Sequence, residues 1–168
     1  MYHGTLRVSF DSEWHCGTGA GKHGGVDRTI ALDDDGFPFV PGRTLKGLWR
    51  DACERVAYAL DYGQPGEWTL LVRTLFGDPA LSAQGGQASR ALVHVRDGRL
   101  NDAWRERLLG DESHLLVPGL RVSRANVTIL DKTGTAKPEH LRLIEFARGG
   151  LDVEAAFTVE TAAHWAVA

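Results

Sequence analysis

Asp27 stands at the exit of the most glycine-dense stretch of the chain, Gly17-Thr18-Gly19-Ala20-Gly21-Lys22-His23-Gly24-Gly25. Glycines let a backbone lie close to a ligand. A carboxylate attached to such a loop can take a proton from a hydroxyl or give an oxygen to a divalent ion. Read as structure alone, the same residue is a turn aspartate that binds its own backbone. Lys22 and His23 on the same loop read as exposed loop residues.

The second candidate group is cationic. Arg43, Lys46 and Arg50 recur at spacings of three and four, just after a Pro41-Gly42 break. A helix opening there leaves its first amides unbonded, Thr44 can cap the first turn, and the cations lie beside it. With Gly42 and Gly47 permitting close approach, this is a geometry for phosphate. The competing reading is an amphipathic helix with a solvated basic edge.

Other candidates fall away on spacing. If Lys22 were a P-loop lysine, the leading glycine would fall at Cys16 and a Ser or Thr at His23. Asp33-Asp34-Asp35-Gly36 resembles a metal cluster, but consecutive acids before glycine read more simply as a solvated hairpin turn. Cys16 and Cys53 have no CxxC partner, so neither a disulfide framework nor a structural zinc site is indicated.

Periodicity supplies the elements that must position these groups. Leu45, Leu48, Trp49, Ala52, Cys53, Val56 and Leu60 form one apolar face of a helix reaching Leu60, after a short strand through Phe37, Phe39 and Val40. Alternation marks strands at Thr5 to Phe10 and Leu151 to Val159. An apolar run from Leu70 stops at Gly77 and Pro79, and the Gly/Ser/Gln-rich segment 80–89 reads as mobile. Ala91 to Val95 reads as a strand and Leu100 to Leu109 as a short helix closed by Gly110. Leu120 to Leu130 and Leu141 to Ala147 flank a turn and predict a finger carrying Arg121, Arg124, Lys132, Lys137 and Arg142. From Thr161 the composition is helix-like.

With 168 residues, 43% hydrophobic and 24% charged, the chain reads as one soluble globular domain. It shows no membrane-spanning run and no signal-peptide core, which predicts a cytoplasmic protein with no membrane partner. A net charge of -3 argues against nonspecific nucleic-acid binding, so a polyanion site must be a local patch.

Several stretches, in one shared order, resemble the RAMP superfamily of repeat-associated RNA-binding proteins, and within it the backbone subunits of type III CRISPR effector complexes. They are Trp14 to Gly19, Gly24 to Asp27, Phe37 to Gly47, Leu75 to Gly77, Ala88 to Val93, Asp131 to Ala136 and Leu143 to Glu145. The Pro41-Gly42-Arg43-Thr44-Leu45-Lys46-Gly47 core is the most specific piece. The resemblance implies an α+β fold: an RRM/ferredoxin-like palm with a glycine-rich insertion loop and a projecting β-hairpin thumb at 120–148, all within one domain, 1–168. It also implies a further palm helix and strand after Val159, so the palm is expected to be incomplete at its C-terminal side. The resulting open strand edge and apolar surface predict poor behaviour as a lone monomer.

The functional expectations follow from the same resemblance. Such subunits stack as a filament on guide RNA (crRNA) with other effector subunits, and target RNA pairs with the guide. Gly42, Arg43, Thr44, Lys46, Gly47 and Arg50 would hold guide phosphates, with Lys22, His23 and Lys132 as further RNA contacts. Asp27 would be the catalytic residue and the ligand of a transient Mg2+ or Mn2+ ion in target-RNA cleavage. Three alternatives stay open: a purely architectural guide-RNA-binding subunit, a metal-independent RNA-processing nuclease using His15 or His23 as general base, and an unrelated α+β ligand-binding domain.

Overall fold

A computed structural model of the chain describes residues 1–19, 26–78, 90–110, 113–129 and 133–160. In chain order the elements are β1 (Tyr2–Phe10), α1 (Gly42–Leu60), α2 (Glu67–Phe76), β2 (Val93–Val95), β3 (Arg99–Leu100) and α3 (Asp102–Leu109). A 3-10 segment (Ser113–Leu120), β4 (Arg121–Ile129), β5 (Ala136–Ala147) and β6 (Leu151–Val159) follow. One sheet has the order β1-β6-β2, with β3 also paired to β6, and β4 pairs with β5 in a second sheet. The expected α+β fold class is what the chain adopts. It divides into two compact units, and β1 and β6 contribute residues to both.

The first unit comprises the described residues of Met1–Leu6, Pro41–Gly98 and Glu154–Ala168. Its core is Ala57 of α1, Val72 and Phe76 of α2 and Val93 of β2, with Trp49, Cys53, Leu75, Val95 and Val159 packed against it. Trp49 sets its ring edge-on to Phe76 and Phe157, with centroids at 5.8 and 5.1 Å. Leu48, Val56 and Leu60 nevertheless stay 62%, 59% and 48% exposed, so the apolar stripe of α1 is wider than the surface that covers it. The apolar run after Leu70, whose type the sequence left open, is α2. Its first turn is held by Asp61, which accepts hydrogen bonds from the amides of Gly66, Trp68 and Thr69 and from the Thr69 hydroxyl. Burial alone would raise this carboxyl; the donors outweigh it and hold Asp61 below its ordinary value.

The second unit comprises Arg7–Val40 and Arg99–Val153. Here β4 and β5 form an antiparallel hairpin in register from Arg121↔Ala147 to Val127↔Leu141. Trp14 bridges Ala147, and Arg28 bridges Ile144 in the parallel sense. Phe37, Leu100, Leu108, Val117 and Leu151 make the core, with Leu120 packed against it. The Asn101 side chain caps α3 by accepting the Trp104 amide at 3.0 Å, so this helix begins at Asp102 rather than Leu100.

Further expectations need correction. The stretch through Phe37, Phe39 and Val40 is not a named strand, and Pro38 there makes an isolated bridge with Leu32. Thr44 does not cap α1: the N-cap is Pro41, no side chain caps it, and the Thr44 amide donates to the Pro41 carbonyl at 2.8 Å. The acidic stretch is a turn, but not a wholly solvated one. The Asp33 side chain is 1% exposed; it accepts from the Asp35 and Phe37 amides and from Arg105 at 2.5 Å. Arg105 also grips Asp35 and lies over the Phe37 ring. A guanidinium that arrives from α3 thus pairs with Asp33 and Asp35 together.

Candidate nucleic-acid interface

The start of α1 presents Arg43 and Gly47 on an exposed face, with Lys46 and Arg50 half-buried beside them. The two glycines have opposite surroundings. Gly42 is buried, and a Cβ there would meet the Val95 carbonyl oxygen at 2.3 Å, so the residue lets the helix dock on main chain. At Gly47 a Cβ would have nothing within 4 Å, which leaves bare helix backbone open to an approaching ligand. The Gly42 amide, a donor expected for phosphate, is given to Asp97 Oδ1 at 2.8 Å.

The cations differ as well. Arg50 is bound to Glu54 at 2.6 Å within the helix, so an anion at Arg50 would compete with that pair. Burial, with the nearby charge of Arg50, pulls the Lys46 ammonium below its ordinary value. A charge its surroundings disfavour gains more from an anionic partner than a freely solvated one does. Arg43 is exposed and free of ion pairs among the described residues.

Asp27 belongs to the second unit, as a side chain tethered to β5. Its amide donates to the Leu143 carbonyl at 2.8 Å, and the Leu143 amide donates to its Oδ2 at 2.7 Å. The binding is across to another strand, not within its own turn. Asp27 is exposed, and its Oδ1 has no hydrogen-bond partner among the described residues. The stem of the glycine loop is closed by a Gly17↔Ile30 bridge and by hydrogen bonds from Thr18 to Thr29 and from Ala31 to Cys16. Thus a carboxylate with one engaged and one open oxygen is carried on a fixed stem.

His15 Nδ1 lies 2.7 Å from the Glu145 carbonyl oxygen, which fixes the ring and leaves Nε2 as its basic atom beneath Gly17. Two of the finger's cations are paired: Arg121 bonds Glu145 at 3.2 Å and Arg124 bonds Glu13 at 2.6 Å, holding Glu13 below the usual carboxylate range. Arg142 is exposed. Lys22, His23 and Lys132 lie outside the described residues. Asp97 and Leu143 were missed by sequence reasoning, because no local pattern announces a partner found 55 or 116 positions away. Among the described residues no three His, Cys, Asp or Glu side chains gather to hold a metal, and no helix is long and apolar enough to cross a membrane.

Comparison with curated protein sequences gives no match. Solved structures do match. A chain of the type III-B Cmr-beta complex bound to cognate target RNA, solved by cryo-EM, superposes with a TM-score of 0.74 at 8% identity, over 99% of this chain and 87% of that one. The apo state of the type III-B Cmr-beta complex gives 0.68 at 8% identity over the same shares. At this identity the likeness is one of fold. The family model of the RAMP superfamily matches residues 7–166, nearly the whole length, and the chain belongs to that superfamily.

Proposed function

We propose that this chain is a guide-RNA-binding backbone subunit of a type III CRISPR effector complex, and that within the assembly it cleaves target RNA at Asp27. The observation that carries the reading is the near-complete superposition on a chain of a type III-B complex bound to cognate target RNA. Guide phosphates lie along the exposed face of α1, paired with Arg43 and Lys46, where Gly47 lets the strand approach the helix backbone. Other effector subunits extend the same track.

For cleavage, the tether to Leu143 holds Asp27 so that Oδ1 stays available. That oxygen takes the proton of a target-strand ribose 2′-hydroxyl as the 2′-oxygen attacks the adjacent phosphorus. The P–O5′ bond breaks as the departing 5′-oxygen takes a proton from solvent water, leaving a 2′,3′-cyclic phosphate and a 5′-hydroxyl. Asp27 would hold a divalent ion through the same open oxygen, which then serves as a ligand in place of a proton acceptor. When bound, the ion would stabilise charge developing on the phosphoryl oxygens.

A specific observation favours the architectural reading instead: Asp27 already spends one oxygen on a backbone amide and has no second acid in a ligand cluster among the described residues. The experiment that separates them is target cleavage by the assembled complex carrying Asp27→Asn. The catalytic reading expects unchanged guide and target binding, with cleavage lost in the variant and in wild type treated with chelator. Full cleavage by Asp27→Asn assigns the chain an architectural role.

A further inference from the structure

The first unit carries a second polar surface, on the face of its sheet turned away from the helices. Side chains alternate along β2 and β6: Val93, Val95, Phe157 and Val159 pack toward α1 and α2. His94, Arg96, Ala156 and Thr158 therefore face the other way. The antiparallel register sets His94 opposite Thr158, and the Arg96 amide extends the ladder to the Ala156 carbonyl at 2.8 Å. Together with Glu160 these residues line a recess of about 490 Å³.

The chemistry of the recess is that of an anion donor set. Arg96 is exposed and its guanidinium has no partner among the described residues. Thr158 offers a hydroxyl, and His94 sits 3.3 Å from Glu160 through Nε2. Glu160 is the lone acid among the described lining residues and is bound by Arg90 at 2.7 Å, which offsets its charge. The methyl of Ala156 keeps the floor low between the flanking donors. Among the described residues no Phe, Tyr or Trp lines the recess, so what it offers is a set of donors for a sugar-phosphate track rather than a stacking platform.

Continuity supplies a second observation. A Cβ on Gly42 would meet the Arg96 carbonyl carbon at 2.8 Å, so the main chain that opens α1 lies directly on the main chain carrying Arg96. An RNA strand held at Arg43 has a cationic side chain waiting at the adjoining sheet edge.

We infer that this recess is a second, sequence-independent contact for the RNA backbone, with Arg96 and Thr158 on a phosphate and Glu160 accepting from a ribose hydroxyl. The inference rests on the RNA-binding reading above and deepens it. The test is fluorescence anisotropy of a labelled single-stranded RNA of about 12 nucleotides on the full chain, between about 50 and 200 mM salt. Arg96→Gln is expected to weaken binding about tenfold and to reduce the salt slope by about 0.7. Arg96→Lys should restore most of both, and Thr158→Val should weaken binding about threefold. Arg43→Gln reports on the helix start separately. If Arg43→Gln weakens binding while Arg96→Gln and Thr158→Val do not, the recess assignment falls and the RNA reading stands. No RNA binding by the unaltered chain overturns both. Inorganic phosphate that shifts the His94 ring resonances, with RNA affinity indifferent to Arg96, marks a small-anion site and overturns the assignment to RNA.

Discussion

Replacing Gly42 by alanine tests the docking of α1 with a single methyl group. The new Cβ would lie 2.3 Å from the Val95 carbonyl oxygen, 2.8 Å from the Arg96 carbonyl carbon and 2.9 Å from its oxygen. These are main-chain atoms, and the Arg96 amide is bonded to Ala156 at 2.8 Å, so none can swing aside. The contact must open by about 1 Å to reach van der Waals separation. Overpacking of this kind costs about 1–3 kcal/mol. The same shift stretches the 2.8 Å bond from the Gly42 amide to Asp97, and a hydrogen bond to a charged acceptor is worth about 1.5–3 kcal/mol. Alanine recovers about 1 kcal/mol of helix propensity. The net loss is about 1.5–5 kcal/mol, or a fall in thermal midpoint of about 3–20 °C for a chain of this size. Gly47→Ala is the matched control: with nothing within 4 Å of its Cβ, it gains the propensity alone and should melt about 2 °C higher. Circular dichroism melts of the three chains decide it. A Gly42→Ala chain that melts with the wild type, or a Gly47→Ala chain that falls alongside it, refutes the assignment of the two glycines.

Arg105→Leu leaves the buried Asp33 carboxylate without its closest cation, and should cost about 3 kcal/mol in urea unfolding; a loss under about 1 kcal/mol would mean that Arg99 and the turn amides suffice. Asp61 is held below its ordinary value by the donors of α2, so its contribution is present above the unfolded aspartate range near about 3.9 and is lost as pH falls through the lower folded value. The Asp61→Asn chain should therefore show a flatter fall of urea midpoint on acidification, and curves of equal steepness would remove Asp61 from the acid response. Asp97→Asn keeps an acceptor for the Gly42 amide while deleting a negative charge beside Arg43. Anisotropy should show RNA binding about threefold tighter with a small loss of stability, and unchanged affinity would place the RNA away from the start of α1.

What the sequence made legible is what short-range periodicity controls. The α1 face through Leu45, Trp49 and Cys53 and the β6 alternation from Leu151 to Val159 match their elements, because a period of 3.6 or 2 is imposed by the backbone itself. The strands of the hairpin were readable in part: β5 begins at Ala136, ahead of the expected Leu141, and the register was not legible. The surroundings of charged groups were illegible throughout. Arg50 with Glu54 is a local pair that spacing could have suggested. Arg105 with Asp33, Arg124 with Glu13 and Asp27 with Leu143 join residues 72, 111 and 116 positions apart, and only the fold brings them together. Gly42 and Gly47 are the sharpest case. The same residue type five positions apart reads alike in sequence, yet one is enclosed by main chain and the other faces open space.

That difference changes how the start of α1 can hold a phosphate. Free amides at a helix N-terminus are the usual anion site, yet here the Gly42 amide belongs to Asp97, and those of Thr44 and Leu45 both donate to the Pro41 carbonyl at 2.8 and 3.2 Å. On the proposed function the attraction then comes largely from side chains, with Arg43 exposed and Lys46 desolvated enough to profit from an anion, and the gap at Gly47 lets a strand lie against the helix. A site of this composition follows a backbone rather than clasping one phosphate, since its donors are spread along a helix face. It follows that affinity should depend on RNA length and on salt more than on any one amide, which is the behaviour a guide-carrying subunit needs if every nucleotide sequence is to be accepted.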